Sequence, residues 1–261
     1  MDAQVARRAG EFLWTAWQAR EVVEALPAEL RPRTDADGFA IQRAINEISG
    51  QARFGWKIAA TSAAGQQHIG VSGPLPGTLL AERVRQAPAT FSLDRNAMRV
   101  AETEFAFRMG RTLAPRAQPY AVDEVLDAVA ALHPAIEVPD SRYRDFVTAG
   151  GPQIIADNAC ACWFALGEAT TADWRSVDLS KHPVRATIGD RVAGEGTGAN
   201  VLGDPRVALT WLANALSRFG TPLSAGEVVT TGTCVVPVTV QPGETVVADF
   251  GPFGRVEVSF E

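Results

Sequence analysis

The sequence predicts an α+β fold, a small N-terminal helical region followed by a mainly β body. Two observations carry this. Apolar residues recur at helical spacing through the first forty-nine positions, and after Gly50 short alternating apolar runs cut by Gly, Pro and Asp take over. The division falls at residues 1–52 and 53–261. At 261 residues the chain is long enough to bury a full core.

In the first helix Val5, Ala9, Phe12, Leu13, Ala16 and Trp17 form the inward stripe, and Pro27 lies just beyond its end. A second helix starts at Thr34 or Asp35, turns Phe39, Ile41, Ile45 and Ile48 inward and stops at Gly50. Phe54 to Ser62 reads as a strand. Thr61 or Ser62 then caps a short helix ending at Gly70, and Val71 to Gly77 reads as a loop. Met98 to Phe107 alternates and is rich in β-branched and aromatic residues, so it is a strand. Val122 to Leu132 reads as a helix leading into a short strand around Glu137. Ala159 to Leu166 reads as another strand. The clearest helix follows, with Asp204 as cap, Pro205 in its first turn, Val207, Trp211, Leu212, Ala215, Leu216 and Phe219 inward and Gly220 at its end. From Val228 to Phe260 the pattern is β again.

Composition narrows the partners. A formal charge of −6 with no basic cluster excludes nucleic acid and anionic membrane surfaces. No apolar run reaches the ~18 residues of a membrane helix, and Met1 to Arg8 does not open a signal peptide. The expected location is the cytoplasm. Cys160, Cys162 and Cys234 lack zinc-ligand spacing and read as reduced, buried thiols.

Chemistry concentrates at Glu102-Thr103-Glu104. On a strand Glu102 and Glu104 share a face, roughly 6 to 7 Å apart, and their neighbours are small and apolar. Either the pair is solvated on an exposed face or a hard divalent cation relieves its repulsion. Glu137 sits in the apolar stretch His133 to Pro139, where an unpartnered charge is costly. Three such carboxylates point to a metal site. Lys57, one of two lysines among twenty-four basic residues, lies between Trp56 and Ile58. It is either a buried lysine paired to a glutamate or a group that binds an anionic substrate and moves protons. Asp157 and Asn158 could face a site or form an Asx-turn. His68 reads as a surface or core residue. Gly194 to Ala199 spells Gly-x-Gly-x-x-Ala, but the next helix starts too late to aim its N-terminus at a pyrophosphate.

Several ordered motifs together resemble the 2-keto-4-pentenoate hydratases of the fumarylacetoacetate hydrolase superfamily. They are Gly55-Trp-Lys-Ile58 with Thr61-Ser62, Ala101 to Phe107, Pro134 to Val138 with Asp140-Ser-Arg142, Ala156-Asp-Asn158, Leu202 to Pro205, Trp211 to Asn214 and Val240 to Gly243. The resemblance implies a twisted mixed β-roll and a lyase acting on 2-oxo or 2-hydroxydienoic acids in aromatic-compound catabolism. It implies Mg²⁺ or Mn²⁺ on Glu102, Glu104 and Glu137, with catalytic roles for Lys57 and Asn158. Substrate contacts fall on Ile58, Thr61, Ser62 and Thr233. It also implies a homo-oligomer, as do Trp14 and Trp17, more apolar surface than two helices can bury.

One motif departs from the pattern. The resembled hydratases usually carry an acid in a Pro-Asp-Phe/Tyr-Gly stretch, and here Pro74-Leu75-Pro76-Gly77 stands in its place. Four readings follow: hydration through a metal-chelated enolate, 4-oxalocrotonate-type decarboxylation or tautomerisation, acylpyruvate carbon–carbon hydrolysis, and non-catalytic binding of an organic acid. Hydrolysis would need a His–carboxylate pair, and only His68, His133 and His182 are available, none in the N-terminal helices.

Overall fold

Glycine, proline and capping residues divide the chain much as their chemistry requires. The computed structural model describes residues 1–261. Helices α1 (Ala3–Ala19) and α2 (Asp35–Ser49) come first, then β1 (Arg53–Ala59), α3 (Ala63–His68), β2 (Leu75–Leu80), β3 (Val84–Gln86), β4 (Ala89–Phe91) and β5 (Val100–Met109). The middle holds α4 (Val122–Leu126), β6 (Val129–Val138), α5 (Phe146–Ala149), α6 (Gly151–Ala156), β7 (Trp163–Leu166), β8 (Pro183–Ile188) and β9 (Arg191–Thr197). Helix α7 (Pro205–Arg218) precedes β10 (Val228–Thr233), β11 (Val238–Thr239), β12 (Thr245–Asp249) and β13 (Arg255–Phe260).

The predicted caps are present. Thr34 and Asp37 form a reciprocal capping box on α2, and Gly50 ends it at φ +64°. Asp204 accepts from the Arg206 amide to start α7, with Gly220 at φ +66° beyond it.

Eight strands form one sheet in the order β2-β1-β10-β5-β6-β7-β3, with β11 added to β5, and five form a second, β4-β13-β12-β8-β9. Pairs β1–β10, β3–β7 and β4–β13 are parallel and the others antiparallel. The first sheet curls. Leu79 of β2 and Phe164 of β7 lie far apart in strand order yet share one buried cluster with Ala106, Ala135, Leu166 and Val228. That cluster lies on the face of the sheet that also carries Glu104, Glu137 and Lys57: Glu104 and Glu137 lie two residues from Ala106 and Ala135, and Lys57 stands opposite Gly77 and Thr230, two residues from Leu79 and Val228. A larger cluster, including Phe105, Phe107, Ile136, Leu212 and Phe250, fills the other side.

Several sequence expectations are corrected. The helix expected to reach Leu132 ends at Leu126, because Val129 to Leu132 is recruited to pair with Phe107 to Met109 of β5. The expected Val71–Gly77 loop ends early, since Leu75 opens β2 opposite Ala59. The strand expected from Ala159 begins at Trp163, because Asn158, Ala159 and Cys160 all adopt left-handed backbone. Val207 and Phe12, expected inward, are exposed.

The helical region docks through Ala9, Leu13, Leu26, Ile41 and Ile45 of its own and Tyr143 and Ala156 of the body. Trp17 is buried rather than part of an exposed apolar set, and Trp14 is half-buried beside it, their ring centres 5.7 Å apart. The Trp17 ring is covered by the Arg142 guanidinium, 3.9 Å from its centre. Arg142 is itself buried and forms an ion pair with Asp157, whose carboxylate also accepts from Ser141 Oγ at 2.8 Å and the Arg142 amide at 3.0 Å. Asp157→Ala would leave a buried guanidinium without its counter-charge. Denaturant unfolding should then show a loss of about 3 to 5 kcal/mol, and a loss below about 1 kcal/mol would mean that solvent already neutralises Arg142.

Candidate active site

The alternation of β5 and β6 brings the three glutamates together. Glu102 stands directly across from Glu137, and Glu104 lies one alternation further along the same face, opposite Ala135. Their ligand oxygens converge to within 4.8 Å of one another, closer than the backbone spacing alone implies. Glu104 and Glu137 are buried and Glu102 is half-exposed.

Lys57 enters from β1. Its Nζ forms an ion pair with Glu137 Oε1 at 3.1 Å and donates to the Ala159 carbonyl at 2.8 Å. The solvated-pair reading of Glu102 and Glu104 therefore gives way to a buried cluster. For Lys57 the two readings coincide, because the lysine paired to a glutamate is also the lysine of the cluster.

Glu104 is fixed by a bulge. Strand β10 shifts register between Thr230 and Thr233, where Gly232 takes φ +104°. There Thr230 Oγ1 and the Gly232 amide, the latter at 2.8 Å, both donate to Glu104 Oε2. A side chain at Gly232 would collide with Thr61, so Thr61 braces the bulge. The Lys57 stem passes Gly77, where an added Cβ would stand 2.9 Å from Lys57 Cγ and 2.3 Å from the Asn158 carbonyl oxygen. Asn158 is buried and accepts the Thr78 amide at 3.1 Å on Oδ1. The left-handed run Asn158–Ala159–Cys160 presents the Ala159 carbonyl to Lys57. Each such residue stores on the order of 1 to 3 kcal/mol, which the surrounding contacts must offset.

Burial dominates the electrostatics. It raises Glu102, and raises Glu104 well above the ordinary carboxylate range, with the other two glutamates adding to the latter effect. Glu137 is raised to about 7, burial prevailing over the neighbouring Lys57. Burial alone would lower Lys57, but Glu137, then Glu102 and Glu104, outweigh it and hold the ammonium charged. If all three carboxylates are ionised, one ammonium leaves two negative charges uncompensated. Glu104 Oε1 and Glu137 Oε2 are buried without a hydrogen-bond partner. Hard oxygen ligands, orphaned lone pairs and this charge deficit fit a divalent cation such as Mg²⁺ or Mn²⁺.

The remaining expected residues are distributed differently. Ile58 points to the opposite face of β1 from Lys57, into the main core. Ser62 is half-buried and its hydroxyl caps α3 by accepting the Gly65 amide at 3.0 Å. Thr233 Oγ1 donates to the Val235 carbonyl at 2.6 Å and accepts the Thr103 amide at 3.2 Å. Sequence reasoning missed Thr230, Gly232, Gly77 and the Ala159 carbonyl. Only the glycines carried a local signal, as turn-forming positions, because the contacts of all four are made across the sheet.

Residues 81–261 match the family model described as fumarylacetoacetate (FAA) hydrolase, C-terminal. The chain belongs to the fumarylacetoacetate hydrolase family. Among its relatives, a 2-keto-4-pentenoate hydratase of Paraburkholderia phymatum is 32% identical over 249 residues, 94% of this chain and 93% of the relative. A 4-oxalocrotonate decarboxylase from a Pseudomonas species is 30% identical over 80% of this chain and 79% of its own. The solved structure of 4-oxalocrotonate decarboxylase from Pseudomonas putida G7, complexed with magnesium and adipate, superposes with a TM-score of 0.90 at 25% identity. It covers 100% of this chain and 99% of the other. The mixed, curled sheet and small helical region are thus those of a fumarylacetoacetate hydrolase family member.

Glu104→Gln removes one charge while keeping the acceptors of Thr230 and Gly232 in place. Titration calorimetry should detect no Mg²⁺ or Mn²⁺ binding by this variant, with its circular dichroism unchanged. Unaltered affinity in single substitutions of Glu102, Glu104 and Glu137 would remove the cluster as a cation site.

Proposed function

We propose that this protein is a divalent-metal-dependent lyase of 2-oxo and 2-hydroxydienoic acids, with hydration of the 2-keto-4-pentenoate type as its leading reaction. The observation that carries the reading is the convergence of Lys57 with three carboxylates in one enclosed cluster. Glu102, Glu104 and Glu137 would hold the cation, whose Lewis acidity would polarise the 2-oxo group and stabilise negative charge developing on its oxygen.

The chain's own groups supply the rest. Lys57, charged and anchored by Glu137 and the Ala159 carbonyl, is a proton donor at a defined position. Asn158 keeps its Nδ2 hydrogens free of any protein partner while Oδ1 is held by Thr78, so the amide can donate to an oxygen of the substrate. Burial of Glu104 and Glu137 excludes bulk water and strengthens every charge interaction in the cluster.

A second reading, decarboxylation or tautomerisation, is favoured by Leu75. This side chain belongs to the buried apolar core, at the position where the resembled hydratases carry an acid. The two candidate substitutes are engaged elsewhere. His68 is exposed against Phe146, and Glu82 pairs with Arg83 at 3.3 Å. Carbon–carbon hydrolysis recedes, because His133 binds the Gly167 carbonyl and His182 the Phe250 carbonyl instead of a carboxylate. Homo-oligomerisation in the cytoplasm completes the proposal. Val236 and Val192 are apolar and exposed, and light scattering should return a particle heavier than the 27.8 kDa chain.

Product analysis with a 2-hydroxydienoate and, separately, an unsaturated 2-oxo diacid, each in deuterated heavy-oxygen water, separates the two lyase readings. Label at the former alkene carbon means hydration, whereas CO₂ release or solvent deuterium exchange without that label means the second reading. Turnover of no member of a 2-oxo acid panel with Mg²⁺ or Mn²⁺ would overturn both. In either reaction Lys57→Met should lower kcat by about 10²-fold to 10⁴-fold. An effect within about threefold would make Lys57 a structural counter-ion only.

A further inference from the structure

Gln42 is a fully buried amide on α2, in the helical region, and it makes three hydrogen bonds to the walls of the lysine site. Its Nε2 donates to the Pro76 carbonyl at 2.8 Å and to the Ile155 carbonyl at 2.9 Å, and its Oε1 accepts from Thr78 Oγ1 at 3.2 Å. The amide has one workable orientation, since the flipped form would set its oxygen against two carbonyls. Asn46, one turn further along α2, donates to Thr78 Oγ1 at 3.0 Å and so directs the Thr78 hydroxyl hydrogen toward Gln42.

Pro76 and Thr78 flank Gly77, the residue opposite Lys57 on β2 and in close contact with both the Lys57 stem and the Asn158 carbonyl. Ile155 ends three residues before the strained turn whose Ala159 carbonyl receives Lys57 Nζ. Thr78 also donates its amide to Asn158 Oδ1. One side chain thus ties β2, whose Gly77 touches the Lys57 stem, to the end of α6, which leads into the turn that receives Lys57 Nζ. The carboxylates stand on β5 and β6, to which the Gln42 side chain makes no hydrogen bond.

We infer that Gln42 is a positioning residue for Lys57 and Asn158, so that the N-terminal helical region sets the geometry of proton transfer without contributing to cation binding. The inference rests on the lyase reading for its kinetic test, and a second measurement is independent of that reading.

Gln42→Met keeps the volume and removes all three hydrogen bonds. Assayed with Mg²⁺ well below its melting temperature, it should lose about 10-fold to 100-fold in kcat, the scale of a small misplacement of a reacting group. KM should change less than about threefold and the calorimetric Mg²⁺ affinity less than about twofold. Hydrogen exchange should also find the Thr78 amide, protected in the parent protein, exchanging at least tenfold faster relative to amides of β5. Thr78→Val, which deletes only the hydroxyl shared by Gln42 and Asn46, should show a smaller effect in the same direction and serves if Gln42→Met does not fold. A folded Gln42→Met protein with kcat within threefold of the parent and a protected Thr78 amide would overturn the inference, as would parallel loss of Mg²⁺ affinity and activity. If the parent turns over no 2-oxo acid, the lyase reading falls, and the exchange measurement still decides whether Gln42 holds the turn.

Discussion

Three carboxylates and an ammonium enclosed by one curled sheet are the constraint on which the rest of the molecule depends. Lys57 offsets one charge, chiefly that of Glu137, and full ionisation of the other two would place their charges in surroundings that strongly disfavour them. Such a cluster persists only where packing leaves its members no alternative position. The Leu79, Ala106, Ala135, Phe164 and Val228 cluster packs on the same face, one alternation along the strands from the charged layer. A divalent cation would supply the missing charge with ligands of the type it prefers.

Much of the irregular backbone serves this cluster. The bulge at Gly232 turns an amide and the Thr230 hydroxyl onto one oxygen of Glu104, leaving its other oxygen unengaged. Gly77 lets the Asn158 turn approach β2 more closely than any side chain would permit. Three consecutive left-handed residues then aim one carbonyl at Lys57. The N-terminal helices join the same construction from outside, through Gln42 at the lysine wall and through Trp17 beneath Arg142.

The fold was legible where local chemistry acts alone. Thr34, Gly50, Asp204 and Gly220 mark their helix ends because caps are satisfied within a few residues. It was misread where pairing overrode local preference. Val129 to Leu132 carries a helix-compatible pattern, yet β5 offers it a full ladder of hydrogen bonds, and Leu75 enters a strand because Ala59 stands opposite. Trp17 looked like surplus surface since nothing nearby in sequence announces that Arg142 will cover it.

The sequence by itself determined the identities and faces of the acids: period-two alternation puts Glu102 and Glu104 on one side of a strand, and an apolar context makes Glu137 costly without a partner. It singled out Lys57 by rarity and setting. Only the tertiary structure decided that Glu102 faces Glu137, that Lys57 pairs with Glu137 rather than with either of the others, and that Ile58, Ser62 and Thr233 direct their side chains to packing, capping and backbone contacts. Strand register and sheet curl set those distances. They arise from hydrogen bonds and packing between segments up to a hundred or more residues apart, such as Lys57 and Ala159 or Glu104 and Gly232, and no local pattern encodes them.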